Sequence, residues 1–256
     1  MESLGAALGW GLAVGGTLVL GAIGAALLSL PGKVAATLTA FGGGLLFSAV
    51  ALELVPEADA QAGSGLTALG LLAGTLVYVG ADWWLGRDAD MMAMRRSGHA
   101  AGAGEQMEMP PKSHAAAARG ESIAVGIFVD GVPESIALGL TIAEGEIGLA
   151  LLAGILVGNL VEAYGAAQPI IAGGHTRRFA VTLLTAIGLA LAVATVLGAT
   201  VLAGASPALV GTAQAVAAGA VLAVISIAIV PNAFKEVNRA VAMATAAGFI
   251  LGYLLG

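Results

Sequence analysis

The chain has 256 residues, of which 59% are hydrophobic and only 10% charged, with a formal net charge of -6. A soluble domain carries roughly 25% charged residues, so the composition excludes an ordinary soluble domain and leaves the net charge silent about acidic or nucleic-acid partners. Cysteine is absent, which excludes disulfides and thiolate metal sites.

Eight apolar runs follow one another, each near the roughly 20 residues that a helix needs to cross a bilayer. The first, about Leu4 to Leu30, has no basic leader and is too long for a signal-peptide core, so it reads as a retained span. The second, about Val34 to Val55, ends near Glu53, Glu57 and Asp59. These acids would draw cations toward an entrance by raising their local concentration; a solvated helix end is the alternative. The third, about Gly65 to Gly86, closes on Asp82-Trp83-Trp84, where indoles anchor a membrane interface. Residues 87–120 then form a loop holding Met91, Met92, Met94, Met107, Met109, His99 and His114. Its composition reads as a flexible cytoplasmic linker, with metal handling as the alternative.

The fourth run, about Glu121 to Ala143, carries Asp130 and Glu134 around Pro133. The fifth, about Ile147 to Gly173, carries Asn159 and Glu162. The sixth (about Phe179 to Ala203), seventh (about Pro207 to Val230) and eighth (about Val237 to Leu255) have no acid in their interiors. Gln168 and Gln214 are expected to donate hydrogen bonds between helices, and His175, beside Arg177 and Arg178, to sit at the interface.

Continuous apolar runs without alternation, in a solvent that satisfies no backbone group, must be helices. With eight spans all ten basic residues fall on one side of the membrane. The positive-inside rule then puts both termini outside. Abundant Gly and Ala imply a tight bundle, because small residues let helix backbones approach where lipid gives no hydrophobic drive. FGGGLLFSAVALELVPEA (Phe41 to Ala58) echoes VAAGAVLAVISIAIVPNA (Val216 to Ala233) at constant offset in spans of opposite direction. That pattern suggests an inverted repeat relating helices 1–3 to 6–8, a common transporter construction.

Asp130 and Glu134 are one turn apart on one helix face, as are Asn159 and Glu162. An ionised carboxylate in hydrocarbon costs at least ~2.5 kcal/mol, so three in consecutive spans point to a buried polar site and a cation path. Gly131 and Pro133 are expected to loosen the helix beside them and to free a carbonyl. Three carboxylates and an amide oxygen form a hard ligand set suited to Mg2+, Mn2+ or Ca2+, and less ideally Fe2+ or Zn2+. Protonated carboxyls bonding between helices are the structural alternative.

These residues carry a resemblance. DGVPES (Asp130 to Ser135) resembles the HNxPEG motif in the fourth helix of the ZIP (ZRT/IRT-like) divalent-metal transporters. NLVEAYGA (Asn159 to Ala166) resembles the fifth-helix pattern of that family, and LELVPEA (Leu52 to Ala58) the end of its second helix. The resemblance implies eight helices, termini outside, and metal ligands at Asp130, Glu134, Asn159 and Glu162. Asp130 stands where the family has His, Gly131 where it has Asn, and Gly158 at a further ligand position. One four-oxygen site is therefore implied rather than a two-metal site, with harder ions favoured over zinc.

The sequence thus leads to an all-α polytopic membrane protein: one transmembrane transporter domain over 1–256, in the plasma membrane, moving a divalent metal (Mn, Fe, Zn, Mg or Cd) by alternating access. No enzyme activity, resident cofactor or nucleic-acid partner is expected; the expected partners are the metal, the lipid bilayer and a second copy of the chain. A proton-coupled carrier of an organic substrate and a non-transporting metal sensor or scaffold are the alternatives. The topology is open to a direct check in intact cells. Cysteines placed at Ser3 and Ser64 should react with an impermeant maleimide, and one at Ser97 should not; labelling at Ser97 would overturn the eight-span arrangement.

Overall fold

A computed structural model describes residues 2–28, 30–85, 114–145, 147–172, 174–201 and 205–256. Among them are eight helices: α1 (Glu2–Leu27), α2 (Gly32–Ala62), α3 (Ser64–Leu85), α4 (His114–Ala143), α5 (Leu149–Ala172), α6 (Arg177–Val201), α7 (Pro207–Val237) and α8 (Ala240–Leu255). Six of them (α1, α2, α3, α5, α6 and α7) are long and apolar enough to cross a membrane. At 16 residues, α8 is shorter, about 24 Å at 1.5 Å per residue.

Three boundaries differ from the sequence reading. The second and seventh spans do not stop at Val55 and Val230 but run on to Ala62 and Val237. In each, a five-residue π turn precedes the proline: Val50–Leu54 before Pro56, and Ile225–Ile229 before Pro231. A π turn widens the helix by one residue, which re-registers the ladder where proline lacks its donor. The fourth helix begins at His114, so residues 114–120 of the expected loop are helical. The rest of that loop, with its methionines and His99, lies outside the described residues.

Burial sorts the helices into rings. In α2, α5 and α7, 61%, 61% and 67% of the best apolar window is buried, against 22% in α3. The first three form the centre, and α3 is the most exposed of the six. The principal neighbours are α1 with α6 and α5, α2 with α7, α8 and α5, α7 with α3 and α4, and α4 with α6 and α5. Exchanging 1 with 6, 2 with 7, 3 with 8 and 4 with 5 turns this set of pairs into itself.

Glycines make the crossings close. A Cβ on Gly15 would stand 2.6 Å from the Gly188 carbonyl oxygen, and one on Gly188 would stand 2.7 Å from that of Gly15. Between α2 and α8, Cβ atoms on Gly44 and Gly248 would overlap the carbonyl oxygens of Thr245 and Phe41. Between α7 and α3, those on Gly219 and Gly74 would overlap the carbonyl oxygens of Leu71 and Val216. With no hydrophobic drive between helices in lipid, this backbone approach supplies the dispersion contacts that hold the pairs.

The turns follow the same spacing. Gly63 (φ 77°) ends α2 and Asn238 (φ 48°) ends α7, 175 positions apart, like the two π turns and the two prolines. Positive φ suits Gly and is tolerated by Asn better than by bulkier residues.

Two alanine substitutions in α3 test the crossing. Gly74→Ala should lower stability by about 1–3 kcal/mol through overpacking. Gly80→Ala, with nothing within 4 Å of the added methyl, should be neutral or slightly stabilising, since Ala is the better helix former. Thermal unfolding of the detergent-solubilised protein separates the two; equal midpoints would mean that α3 and α7 do not meet at Gly74.

Candidate functional site

The four residues singled out in the sequence lie on two helices that pack together, α4 and α5. Asp130, Glu134 and Asn159 are each buried, and Glu162 is half-buried. The charges that act on Glu134 are those of Glu162 and Asp130, both negative. The pairing of α4 with α5 therefore brings the three carboxyls within electrostatic reach of one another. It does not bring them into one coordination sphere: among the described residues, no three His, Asp or Glu side chains converge closely enough to hold a metal ion.

Local sequence explains the helix faces. Pro133 sits inside α4, which continues from His114 to Ala143, and supplies no backbone N–H at that turn. Gly131 has a packing reason instead. A Cβ there would stand 2.6 Å from Leu191 Cδ1 on α6, so glycine seats α4 against α6. Gly158 differs, since nothing lies within 4 Å of the place its Cβ would take. Room for a further side chain is present beside Asn159.

Two buried groups near the carboxyls have no hydrogen-bond partner among the described residues: Ser135 Oγ and Asn159 Nδ2. An unsatisfied buried polar group costs about 1–3 kcal/mol, and such groups in a folded protein call for a water, an ion or a functional reason. Ser135 was not among the sequence candidates, although it is the last residue of the DGVPES segment.

Tyr78 is the larger omission. It is a buried tyrosine of α3, and its hydroxyl donates to Asp130 Oδ1. The available signal was a lone phenol in the apolar third run, one turn before Asp82. A second tyrosine, Tyr164 of α5, accepts at its hydroxyl from Leu30 N (2.6 Å) and Gln168 Nε2 (2.7 Å) and donates to the Leu28 carbonyl (3.3 Å). Gln168 is thus a donor, as expected, although to its own helix. Gln214 donates between helices, to Glu144 Oε2 at 3.4 Å. His175 stacks on Phe179, with centroids 4.2 Å apart.

Glu53 and Glu57 are set apart from the carboxyl layer. Glu53 belongs to the π turn of α2, and its Oε1 accepts the backbone N–H of Ala150 at 3.2 Å. A helix leaves its first N–H groups without internal partners and favours negative charge there. Glu53 therefore caps the helix that carries Asn159 and Glu162. Glu57 accepts from Gln61 Nε2 at 2.8 Å and is exposed. Both line a cavity of about 550 Å3 together with Thr141, Glu144, Gly148 and Gln214. None of the four central residues lines it. Thr141 is seven residues beyond Glu134 on α4, about 10 Å along the axis.

No family model matches the chain, and a search of curated proteins returns no match.

The Tyr78–Asp130 bond is open to a double-mutant cycle. Tyr78→Phe alone should destabilise by about 1–3 kcal/mol, because it strips a donor from a buried carboxyl. Added to Asp130→Asn it should cost clearly less, since the shared interaction is already altered. Thermal unfolding of the four proteins checks it; strictly additive losses would mean that the two groups do not interact.

Proposed function

We propose that this chain is a divalent-cation carrier of the ZIP-like kind, located in the plasma membrane, with its cation path between α4 and α5. One observation carries the reading: the two charges acting on buried Glu134 are both carboxylates, Glu162 and Asp130. All ten basic residues lie in loops or near span ends. Carboxyls gathered in a low-dielectric interior must either take up protons or hold a counterion, and a mobile cation is such a counterion. Asn159 adds a neutral oxygen, and the open place at Gly158 leaves space for water on the ion.

Among the described residues no three of these groups share one metal site. Closure of α5 on α4 would draw Glu162 toward Glu134. An inverted repeat supports such rocking. Its signs are the 175-residue offset shared by the π turns, the prolines and the positive-φ residues, and the exchange of neighbours between α1–α3 and α6–α8. Sites at the interface of inverted repeats are where secondary transporters bind cargo. Oxygen-only donors favour Mn2+ or Mg2+ over Zn2+, which imidazole suits better. The resemblance in DGVPES and NLVEAYGA points the same way.

A second reading is proton handling. The carboxyls do not converge on one point, and Tyr78 donates to Asp130, which are features of a proton relay. In that case the cargo is organic and the flux independent of metal.

Competitive uptake of Mn2+ and Zn2+ into proteoliposomes decides between them. The wild type should prefer Mn2+. Glu134→Gln and Glu162→Gln should each lower uptake by at least ~10-fold, because removing one member of a buried charge set costs several kcal/mol. Asn159→Ala should be milder, and Asp130→His should shift preference toward Zn2+. Normal uptake in all four variants would remove α4 and α5 from the path. Proton-coupled flux with no metal uptake would select the relay.

A further inference from the structure

The eight helices pack as two groups. In the first, α1, α4, α5 and α6 each pack on the other three. In the second, α2, α7 and α8 pack on one another, and α3 packs on α7 and α2. The exchange of 1 with 6, 2 with 7, 3 with 8 and 4 with 5 returns each group to itself. Among the described residues, packing between the groups rests mainly on α5 against α2 and α8, and on α4 against α7.

The glycine crossings follow the same division. Inside the first group, a Cβ on Gly21 would overlap the Leu160 carbonyl oxygen, and one on Gly139 that of Thr195. Gly15 with Gly188, Gly44 with Gly248 and Gly74 with Gly219 also meet inside a group. Across the boundary the meetings differ. A Cβ on Gly42 would stand 3.4 Å from Gly158 N, and one on Gly154 would meet the Leu46 side chain at 2.8 Å. A glycine seated on a carbonyl oxygen fixes the register of its two helices, whereas a leucine side chain can turn aside. Sliding of packed helices therefore falls at the boundary and not inside either group.

A buried hydrogen bond crosses that boundary. The buried face of α3 reads Thr67, Gly70, Gly74 and Tyr78. Its small residues bring α3 onto α7, and a long side chain follows one turn later. Tyr78 belongs to the buried cluster that includes Ala220 and Val224 of α7 and Ala137 and Leu138 of α4, and its hydroxyl donates to Asp130 Oδ1. A residue of the second group thus holds a carboxyl of the first. Asp130 is thirteen residues before the end of α4 at Ala143, about 20 Å along the axis. The bonds of Glu53 to Ala150 and of Gln61 and Gln214 to Glu144 lie near that end. Tyr78 acts deep between the groups, where a hydrogen bond is stronger than in water and its loss costly.

We propose that Tyr78 is a positioning residue that latches the two groups: its hydroxyl, on α3, holds Asp130 and with it α4 in the described register on α7, and it releases when α4 slides. The proposal deepens the carrier reading and rests on it for the link between that slide and cation transfer. The latch is read with no cation present, so a failed latch and a failed carrier are told apart by Mn2+ uptake.

The chain has no cysteine, so introduced cysteines take spin labels without background. Ser64→Cys on α3 with Val201→Cys on α6 reports across the groups, and Ser64→Cys with Leu254→Cys on α8 reports within one; all three positions are exposed. Double electron–electron resonance is recorded on the full chain in lipid nanodiscs without divalent metal. Tyr78→Phe keeps the ring and removes the hydroxyl. In the pair across the groups it should raise a second distance, relative to the main one, by roughly 10-fold or more, as expected on losing a hydrogen bond to a buried carboxyl. The pair within one group should not change. Asp130→Leu, which removes the acceptor, should raise the second distance by itself, and Tyr78→Phe added to it should do nothing more. Any one of three results overturns the proposal: an unchanged ratio across the groups in Tyr78→Phe, an equal change in the pair within one group, which marks general loosening, or a full Tyr78→Phe effect in the Asp130→Leu background.

Discussion

Asp130 and Glu134 are buried on α4, within electrostatic reach of half-buried Glu162 on α5. Taking carboxyls out of water is costly, so the packing of α4 and α5 against their neighbours must offset it. The surrounding structure meets that demand with short, stiff contacts. Gly15 and Gly188 bring α1 and α6 backbone to backbone, and Gly131 seats α4 on α6. Tyr78 holds Asp130 from α3. Glu53 holds the first turn of α5 from α2. The last three contacts each fix one helix of the acidic pair to a neighbour outside it.

The π turns serve the same arrangement. Without one, Pro56 would take its place in the ladder of a regular helix, where it removes a bond and clashes one turn back. With it, α2 continues past the proline, and Glu53 within the turn reaches the N-terminus of α5. The counterpart in α7 holds Ser226 rather than an acid, and its hydroxyl bonds back to the Leu222 carbonyl at 2.7 Å. The two turns share geometry and differ in chemistry, which leaves an acid at a π turn on one end of the bundle only.

Much of this was legible in the residues. Helix number and order follow from apolar length, and the shared faces of Asp130 with Glu134 and of Asn159 with Glu162 from helical spacing. The 175-residue echo was visible as text before it appeared in the turns. What the sequence could not show depends on tertiary register. Tyr78 is ordinary within an apolar run until α3 sets it beside Asp130. Glu53 reads as a solvated acid until its oxygen meets the Ala150 amide. Glu144 looks like a loop charge until Gln61 and Gln214 close on it. The helix ends were misplaced because a proline normally signals a stop, and a π turn upstream cancels that signal. Whether the carboxyls share one coordination sphere is also a matter of ångströms between helices, which residue spacing along one helix does not encode.

Tyr164 has one more consequence. Its phenol lies two residues from Glu162 and is wired to both sides of the α1–α2 connection, through the Leu30 amide and the Leu28 carbonyl. A sliding movement of α5 must either carry that connector with it or release the Leu30 amide to solvent. The exchange of a single amide hydrogen at the membrane edge is thereby slaved to the position of the helix that bears Glu162.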